Sequence, residues 1–387
     1  MGGRLTNFHT QWQTSAFWQI IRFGLTWTWK SIPKGEPGNS LHQPTSIDMD
    51  REIVKMRRKR AIEKTRFLKF TSRLFSVPKK DSIENRTILD LSKLNEFISI
   101  NSFKMLTLKQ VRLLLPAEAW TVSLDLKDGF YHLMVSKKFR PYLGFCYKGQ
   151  KWRFRAMPFG LNTAPLIFTK IMSFSILCLT KEGIWALPYL DDILIIAKTR
   201  LECLQKVQKA VQILEKLGWI INTEKSRLIP QQVFNWLGVH YNLLNHTVQN
   251  TVETHSQFLT QLRELLTQRT TTKRHIMRLQ GLANWLGQVN PLARLFLSRT
   301  KPLLSHLKRV KLDTELQVNN RMKSLMAKWL TLTRNPQRLG LPKTTCTVLT
   351  DASKTGWGFT INQQRFQTSK ESSTNPWTIT VSMSWNS

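Results

Sequence analysis

The chain has 387 residues, enough for more than one domain and a substantial hydrophobic core. It carries 58 Lys and Arg residues against 24 Asp and Glu, for a formal net charge of +34. This excess favours a polyanionic partner, either nucleic acid or an anionic membrane. No apolar run reaches the roughly 18 residues that a transmembrane helix needs.

Two short N-terminal patterns and the cysteines bear on the compartment. MGGRLT fits the loose pattern for myristoylation of Gly2, and the first 30 residues contain basic residues without an acid, as a transit peptide would. The myristoylation pattern is short enough to be common by chance. The four cysteines form no CxxC or Cys/His pair, so neither a zinc site nor a disulfide framework is indicated. We expect an intracellular protein, nuclear or cytoplasmic, without a signal peptide or transmembrane segment.

The first hundred residues contain a loop, a basic segment and a hairpin. Residues 31–48 are rich in Pro, Gly and Ser, which predicts a linker or surface loop. Residues 51–66 predict a strongly basic helix. Apolar and polar residues alternate over 70–98, which predicts two strands around a loop and then a helix.

The middle of the chain predicts strands and helices that could form one sheet layer. WTVSLDL at 120–126 predicts a strand that ends at Asp125, and 140–157 predicts a hairpin that turns at Lys148 and Gly149. The same patterns predict a helix at 162–182, a buried hairpin at 188–197, a helix at 200–217 that stops at Gly218, and a strand pair at 233–242.

The last third is basic and mainly helical in pattern. Residues 251–335 contain 15 Lys and Arg residues and 4 acids, with several helical periodicities. TCTVLTDAS then predicts a strand that carries Asp351, followed by a glycine turn, TGWGF, at 355–359.

Two adjacent aspartates, Asp191 and Asp192, interrupt the apolar stretch PYLDDILIIA. If this hairpin neighbours the strand that ends at Asp125, three carboxylates converge, and their repulsion raises their pKa values. Divalent cations remove that repulsion, and oxygen ligands favour Mg²⁺. Two such ions, Mg²⁺ or in its place Mn²⁺, could activate a 3′-hydroxyl and stabilise a leaving pyrophosphate. The alternative is an ordinary Asp-Asp turn, but a solvated turn does not need such apolar flanks.

Several segments together resemble reverse transcriptases. YLDD at 189–192, VSLDLKDGFYH at 122–132 and MPFGLNTAPLIFTKIM at 157–172 match the palm motifs of that family in order and spacing. Further agreement lies at 74–95, 218–226 and 234–239. GGRL..F...W at 2–12 and TDASKTGWG at 350–358 resemble the DIRS-type, tyrosine-recombinase retrotransposons, whose polymerase is followed by a ribonuclease H domain.

The resemblance implies an α+β right-hand polymerase with a partial ribonuclease H-like α/β segment. The implied parts are an N-terminal extension and linker at 1–50, fingers at 51–118, palm at 119–249 with a fingers insertion at about 136–156, a helical thumb or connection at 250–340, and an incomplete ribonuclease H-like segment at 341–387. The implied activity is RNA-directed addition of dNTPs to a primer 3′-OH. The implied partners are an RNA template, a DNA primer, their RNA–DNA hybrid and other domains or proteins of the same element, with no membrane.

The resemblance also assigns roles at the catalytic centre. Asp125, Asp191 and Asp192 are the implied catalytic and metal-binding acids, with Asp192 the lesser metal ligand. Phe130 lies five positions after Asp125, where the family uses an aromatic ring to exclude the 2′-hydroxyl. Tyr131 is the alternative gate, and a core position is the alternative role for Phe130.

The triphosphate is assigned to a fingers loop. Lys79 and Arg86 match the residues that hold the three phosphates, with Lys80 as the alternative to Lys79 and plain solvation as the alternative for all of them. The family often has Gly-Gly and Arg-Pro in this loop, whereas this chain has IENRT at 83–87.

The remaining polymerase residues follow the later motifs. Phe159 and Gly160 are implied to pack against the nucleotide and template base, and Lys225 to protonate the pyrophosphate. Trp236 and Gly238 match the grip on the primer terminus, although Trp236 could equally be a core residue. The basic helices after 250 would hold duplex through its phosphates.

The C-terminal segment predicts an inactive nuclease. Asp351 matches the first acid of a ribonuclease H site, and Glu371 is the only acid among the 36 residues that follow it. No later helix offers a further acid. Two rival functions remain: a catalytically inactive nucleic-acid-binding remnant of such an element, and an anionic-membrane binder. Intact acids and palm motifs favour the enzyme.

Overall fold

The structure is a computed structural model of the chain. It describes residues 1–33, 47–78, 85–290, 293, 297–298, 310–331, 336–340, 348–352, 356–361 and 364–369. The chain divides into two compact units, Met1–Gly340 and Leu341–Ser387. The second unit begins where the sequence analysis places the start of the ribonuclease H-like segment.

The helices and strands alternate along the first unit. The α-helices with described bounds are α1 (Trp18–Phe23), α2 (Ile47–Arg58), α3 (Ser92–Glu96), α4 (Leu108–Leu114), α5 (Ala164–Lys181), α6 (Arg200–Lys216), α7 (Val252–Thr267), α8 (Lys273–Leu286) and α9 (Asn320–Ala327). Short 3₁₀ segments span Arg4–Trp12, Gly129–His132, Arg140–Tyr142 and Lys328–Thr331.

Within the described part of the chain, the strands form six separate sheets or ribbons. They are β1 (Ile62–Lys64), β2 (Arg73–Pro78), β3 (Asn85–Asp90), β4 (Trp120–Asp125), β5 (Gly144–Tyr147), β6 (Gln150–Phe154), β7 (Trp185–Tyr189), β8 (Asp192–Ala197), β9 (Arg227–Gln231), β10 (Val233–Trp236), β11 (Val239–Asn242), β12 (Thr247–Asn250), β13 (Thr270–Thr272), β14 (Glu315–Gln317), β15 (Gln337–Arg338), β16 (Val348–Ala352), β17 (Gly356–Ile361) and β18 (Gln364–Ser369).

An antiparallel sheet of four strands, in the order β7-β8-β4-β9, organises the first unit. Both faces of its central strand β8 are covered. Ile193 and Ile195 belong to the main hydrophobic cluster, whereas Leu194 and Ile196 belong to a second cluster on the opposite face. This arrangement explains why the strand is a continuous apolar run, because successive side chains of a strand point to opposite faces. Helices α5 and α6 pack against the sheet.

The other elements surround this sheet. β1-β6-β5 and the ribbon β2-β3 form two small antiparallel sheets, and β10-β11-β12-β15 form another that packs into the second cluster. Helices α7, α8 and α9 build a third apolar cluster around residues such as Phe258, Leu279 and Trp329. The first two clusters therefore share the strands of the central sheet, whereas the third is built by the later helices.

Several sequence predictions are confirmed. The hairpin between β5 and β6 turns at Lys148 and Gly149, with φ of 49° and 71°, values that suit a tight turn with two left-handed residues. Helices α5 and α6 occupy the predicted segments, and α6 ends before Gly218, whose φ is 97°. The predicted buried hairpin is β7 and β8.

The prediction of one basic helix over 51–66 is wrong in its second half. Helix α2 ends at Arg58, and Arg60 adopts a φ of 53°. Strand β1 follows and pairs with β6, placing Ile62 opposite Phe154. Tertiary pairing and burial of Ile62 override the local helical pattern here.

The first residues are packed into the core of the first unit. Leu5, Trp12, Ile21 and Leu25 are buried in the main hydrophobic cluster. Residues 34–46, which hold most of the predicted linker, lie outside the described residues. The sequence analysis had grouped 1–50 as an extension and linker, but Met1–Trp12 is integral to this unit.

The second unit contains an antiparallel sheet in the order β16-β17-β18. Asp351 lies in β16, where its backbone is paired with Gly358 of β17. The predicted glycine turn at 355–359 is therefore wrong for most of its length, because Gly356–Ile361 is a strand. Glu371 lies outside the described residues.

Within the described residues, one helix, α5, is long and apolar enough to cross a membrane by length and composition alone. Its buried residues include Phe168, Ile171 and Leu179, and these belong to the main hydrophobic cluster. Helix α5 therefore packs as a core helix against the four-stranded sheet.

Candidate active site

Three carboxylates meet at one edge of the four-stranded sheet. Asp125 is the last residue of β4 and is paired directly with Asp192, the first residue of β8. Asp191 lies in the turn before Asp192, and its carbonyl accepts a 2.9 Å hydrogen bond from the Leu126 N–H. Leu190 in the same turn has a φ of 52°, a left-handed conformation that is uncommon for a bulky residue. The structure thus brings together the three acids that the sequence singled out.

The carboxylates repel one another in a partly buried setting. Burial, followed by the charges of Asp191 and Asp125, raises the pKa of Asp192 to about 6. Burial also raises the pKa of Asp125, although a hydrogen bond from Asn222 and the charge of Lys225 oppose the increase. Directly opposed like charges destabilise a strand pair, so a bound cation would relieve this arrangement.

The donor set suits a hard divalent ion, since it consists of carboxylates carried by two paired strands and the turn between β7 and β8. Among the described residues, no group of three His, Cys, Asp or Glu side chains is already arranged as a metal cage. The three acids are candidate ligands because they lie at the same edge of the sheet.

The loop between α6 and β9 contacts Asp125 on the side of β4 that faces away from β8. The Asn222 side chain donates a 3.0 Å hydrogen bond to Oδ2 of Asp125, and the Asn222 backbone N–H donates to the Asp125 carbonyl at 2.8 Å. The Asp125 N–H in turn donates to Oγ of Ser226 at 2.9 Å. The sequence analysis did not single out Asn222, although it lies within the 218–226 motif that carries Lys225.

The turn Gly129–His132 closes the site beside the acids. A Cβ on Gly129 would lie 3.2 Å from Cβ of Asp191 and 3.1 Å from the Phe168 ring, so a larger residue would have to displace the acid turn or the core. Phe130 packs on Phe159 and Phe168, with ring centroids 5.0 and 5.2 Å apart. Tyr131 is buried and also contacts Phe159, at 5.9 Å.

His132 ties this turn to the loop after α6. Its Nδ1 is 3.1 Å from the Gly129 carbonyl, and the Ile220 N–H donates to its Nε2 at 3.2 Å. This pattern requires a neutral ring with the proton on Nδ1. Burial lowers the pKa of His132 to about 4, in agreement with the neutral form. The ring also packs on Trp219, with centroids 5.2 Å apart.

A cavity of about 310 Å³ opens in front of the acids. Asp125, Asp128 and Asp191 contribute to one part of its wall, and Tyr131 and Phe159 contribute aromatic surface. The basic residues at the cavity are Lys55, Lys59, Lys127 and Lys225. A cavity with acids, lysines and aromatic rings can hold a base, a sugar and phosphates with their cations.

Helix α2 reaches the cavity through an ion pair that the sequence analysis did not predict. Nζ of Lys59 lies 2.7 Å from Oδ2 of Asp128, and both side chains are partly exposed. The predicted basic segment marked Lys59 as one of many cations. Its particular partner depends on the fold, because Asp128 is distant in sequence.

Gly160 and its neighbour occupy positions compatible with their predicted roles. Phe159 lines the cavity, and Gly160 is exposed next to it with a φ of 92°. A Cβ on Gly160 would lie 2.9 Å from the Leu89 carbonyl, so the site requires glycine for both space and backbone angle. Lys225 is exposed at the cavity wall.

The predicted primer grip is separated into a buried and an exposed part. Trp236 is only 4% exposed and packs in the second hydrophobic cluster, as the core alternative expects. The following turn, Leu237 and Gly238, has φ of 49° and 70°, and Gly238 is exposed. The turn is therefore the part of this segment that can contact a ligand.

The predicted triphosphate ligands are only partly described. Lys79 and its alternative Lys80 lie outside the described residues. The backbone of Arg86 lies in β3 and pairs with Val77, and the structure describes nothing of its side chain. Asp351 belongs to the second unit.

Comparisons with known proteins agree with this arrangement. Residues 62–241 match the family model for "Reverse transcriptase (RNA-dependent DNA polymerase)". The chain is 28% identical over 156 residues to the genome polyprotein of Petunia vein clearing virus, covering 40% of this chain and 7% of that protein. It is 30% identical over 165 residues to the transposon Tf2-3 polyprotein of Schizosaccharomyces pombe, covering 42% and 12%. The chain therefore spans a small part of these relatives.

A solved structure shares the fold. The foamy viral protease-reverse transcriptase in complex with double-stranded DNA superposes with a TM-score of 0.63 at 18% identity, covering 89% of this chain and 59% of that chain. The α+β architecture, with acids at the edge of an antiparallel sheet, is that of a right-hand polymerase. Residues 62–241, which carry the four-stranded sheet and its three acids, are thus similar to the reverse transcriptase family in sequence, and polyproteins of a virus and a transposon share this similarity.

Proposed function

We propose that the chain is an RNA-directed DNA polymerase that adds deoxynucleotides to the 3′-hydroxyl of a primer. The observation that carries the proposal is the direct pairing of Asp125 with Asp192, with Asp191 in the adjoining turn at the cavity. Phosphoryl transfer requires mainly positioning and charge neutralisation, and this edge of the sheet concentrates negative charge where cations and phosphates would meet.

Asp125 and Asp191 are the main proposed ligands of two Mg²⁺ ions, and Asp192 is the lesser one. Such ions, or Mn²⁺ in their place, would lower the pKa of the primer hydroxyl and stabilise charge on the leaving pyrophosphate. Asn222 holds Oδ2 of Asp125, which fixes the orientation of this carboxylate. Lys225 lies at the cavity wall, which supports its proposed role as proton donor to the pyrophosphate.

The nucleotide would lie against the aromatic surface of the cavity. Phe130 is the proposed barrier to a 2′-hydroxyl, and it packs on Phe159 and Phe168. Tyr131 stays the alternative barrier, and it lines the cavity, whereas Phe130 lies behind Phe159 and is not part of the cavity wall. Gly160 would allow the nucleotide or template to approach the backbone, and the triphosphate would be held by Lys79 and Arg86, with Lys80 the alternative to Lys79.

The parts of the polymerase are proposed as the sequence divides them. Residues 51–118 would be fingers, 119–249 palm and 250–340 thumb, with RNA template, DNA primer and their hybrid as partners and dNTPs as substrates. The exposed turn at Gly238 would grip the primer terminus. The net charge of +34 supports binding along phosphates.

We further propose a DIRS-type origin and an inactive ribonuclease H remnant around Asp351. The GGRL start and the TDASKTGWG run support this origin. An intracellular site of action, nuclear or cytoplasmic, is part of the same proposal, and microscopy of the tagged chain would test it. The remnant proposal fails if the chain degrades the RNA of a hybrid and Asp351→Asn abolishes that degradation.

The central experiment is extension of an oligo(dT) primer on poly(rA) with dTTP and Mg²⁺, repeated with Mn²⁺. We expect extension that requires the divalent ion. Hybrid affinity, measured in parallel by fluorescence anisotropy, separates the two main functions. Folded protein that binds the hybrid without extending the primer would instead be the catalytically inactive remnant.

A further inference from the structure

The first twelve residues contact the elements that surround the cavity. The Gly2 N–H donates to the Lys59 carbonyl at 2.6 Å, and the Gly3 N–H donates to the Tyr131 carbonyl at 2.8 Å. These two adjacent residues therefore join the end of α2 to the turn Gly129–His132. Lys59 in turn pairs with Asp128 at the cavity.

The fit at Gly2 and Gly3 leaves no room for a side chain. A Cβ on Gly2 would lie 2.0 Å from the Arg60 carbonyl oxygen, and a Cβ on Gly3 would lie 2.7 Å from Cε of Met134. Gly3 also has a φ of 74°, which only glycine adopts readily. The two hydrogen bonds thus depend on a close backbone approach.

The same segment holds the loop after α6. Nε of Arg4 donates to the Gly218 carbonyl at 2.9 Å, and Nε1 of the buried Trp12 donates to the Leu217 carbonyl at 2.9 Å. A Cβ on Gly218 would lie 2.7 Å from the Phe8 ring, so the contact is again close. These bonds anchor the segment at its second end.

The two anchored elements meet behind the cavity. The Ile220 N–H donates to Nε2 of His132, and the Ile220 carbonyl accepts a 2.9 Å hydrogen bond from the Lys127 N–H. A shift of the loop or of the turn would therefore move the aromatic residues of the turn relative to Asp125. Misplacement of reacting groups by about 1 Å can cost about a hundredfold in rate.

We propose that Met1–Trp12, the N-terminal clasp, sets the position of the turn Gly129–His132 and is a specificity-determining element for the sugar of the incoming nucleotide. The inference rests on the proposed polymerase function. The clasp lies outside residues 62–241, which match the family model. Its residues are positioning residues, because they act through the backbone of Tyr131 and through Gly218.

The test compares three variants of the full chain. Gly3→Ala places a Cβ against Met134 at a φ of 74° and so strains the backbone that bonds to Tyr131. Arg4→Ala removes the bond to Gly218 without a steric clash. Gln11→Ala changes an exposed residue of the same segment and is the matched control. For each variant, kcat/KM is measured with dTTP and with UTP on poly(rA) and oligo(dT).

We expect the ratio of dTTP to UTP efficiency to fall about tenfold in Gly3→Ala and by a smaller factor in Arg4→Ala. Gln11→Ala should keep the wild-type ratio. A clasp that merely stabilised the fold would lower the yield of active protein and leave this ratio unchanged. An unchanged ratio in folded Arg4→Ala therefore overturns the inference, even if Gly3→Ala fails to fold.

Hydrogen exchange supplies a readout that does not need polymerase activity. The amides of Tyr131 and Leu133 bond within the turn and should exchange faster in Arg4→Ala than in Gln11→Ala. Equal exchange rates in the two variants would overturn the proposal that the clasp positions the turn. If the wild-type chain does not extend the primer, the polymerase proposal fails by itself, and the exchange result still decides whether the clasp holds the turn.

Discussion

Asp125 and Asp192 lie directly opposite each other on neighbouring antiparallel strands, with Cβ atoms about 5 Å apart as such pairs require. Asp191 adds a third negative charge from the adjoining turn. The strand that carries Asp192 is otherwise apolar and buried. The fold therefore maintains an electrostatically unfavourable pair at the end of a buried strand, as functional sites often do.

Asp192→Asn should stabilise the protein near neutral pH in the absence of divalent ions. Because the pKa of Asp192 is raised to about 6 in the folded state, stability is lost as pH rises from about 4 to about 6. Replacing the carboxylate should raise the free energy of unfolding by on the order of 2 kcal/mol at about pH 7, and by much less at about pH 4. Urea denaturation measures both values. Glu224→Gln, at an exposed position, is the control and should change neither.

Asp191→Asn should abolish primer extension and leave hybrid affinity largely intact. The substitution removes one proposed cation ligand, whereas duplex binding depends on phosphate contacts spread over the basic surface. Extension and fluorescence anisotropy on one preparation test the two parts. Comparable losses of binding and extension would contradict the assignment of Asp191 to the chemical step.

Phe130→Ala should admit ribonucleotides. The ring packs on Phe159 and Phe168 beside the acids, and its removal opens space where a 2′-hydroxyl would lie. Steady-state incorporation of UTP against dTTP gives the ratio. Tyr131→Ala is the comparison, and a larger gain of UTP incorporation in that variant would make Tyr131 the gate.

His132→Gln should reduce the loss of stability in acid. Since the pKa of His132 is lowered to about 4, the wild-type protein loses stability as pH falls from about 6.5 towards 4, by up to roughly 3 kcal/mol. Protonation of Asp192 increases stability as pH falls through an overlapping pH range, so the effects of Asp192 and His132 on the free energy of unfolding partly cancel. Unfolding measured against pH should show a steeper acid loss in Asp192→Asn and a shallower one in His132→Gln. Parallel curves for all three proteins would contradict both pKa assignments.

Substitution of alanine for glycine should have opposite effects on the stability of the protein at Gly160 and Gly281. Gly160→Ala places a Cβ 2.9 Å from the Leu89 carbonyl at a φ of 92°, so it should destabilise the protein by more than about 1 kcal/mol. Gly281 lies inside helix α8 with open space around its Cβ position. Gly281→Ala should stabilise by about 0.5–1 kcal/mol. Thermal unfolding of the pair measures both signs.

The meeting of the three acids could be predicted because its signals are local. Asp125 ends an apolar strand, and Asp191 with Asp192 interrupts an apolar hairpin, so each motif predicts its own turn or strand end. Their meeting at one edge required only that β4 and β8 be neighbours. Phe130 and Gly160 were singled out through the resemblance to reverse transcriptases, and their roles stay predictions.

Contacts between distant parts of the chain could not be predicted in the same way. Arg4 bonds to Gly218, and Lys59 pairs with Asp128, without any local pattern that links the partners. Strand β1 also contradicts the helical pattern around it, because its pairing with β6 depends on the tertiary fold. The sequence therefore predicted the acids, and the structure was needed for the residues that hold them.

The left-handed Leu190 has a consequence for the acid turn. Glycine would occupy this backbone conformation without strain, yet the chain has a leucine whose side chain packs against the main hydrophobic cluster. A glycine at this position would remove the backbone strain, but it would also remove the packed side chain. The turn that carries Asp191 would then be more mobile. Leu190 thus accepts a strained backbone conformation and in return holds the turn rigid through its packing. The orientation of the Asp191 carboxylate therefore depends on the apolar side chain next to it.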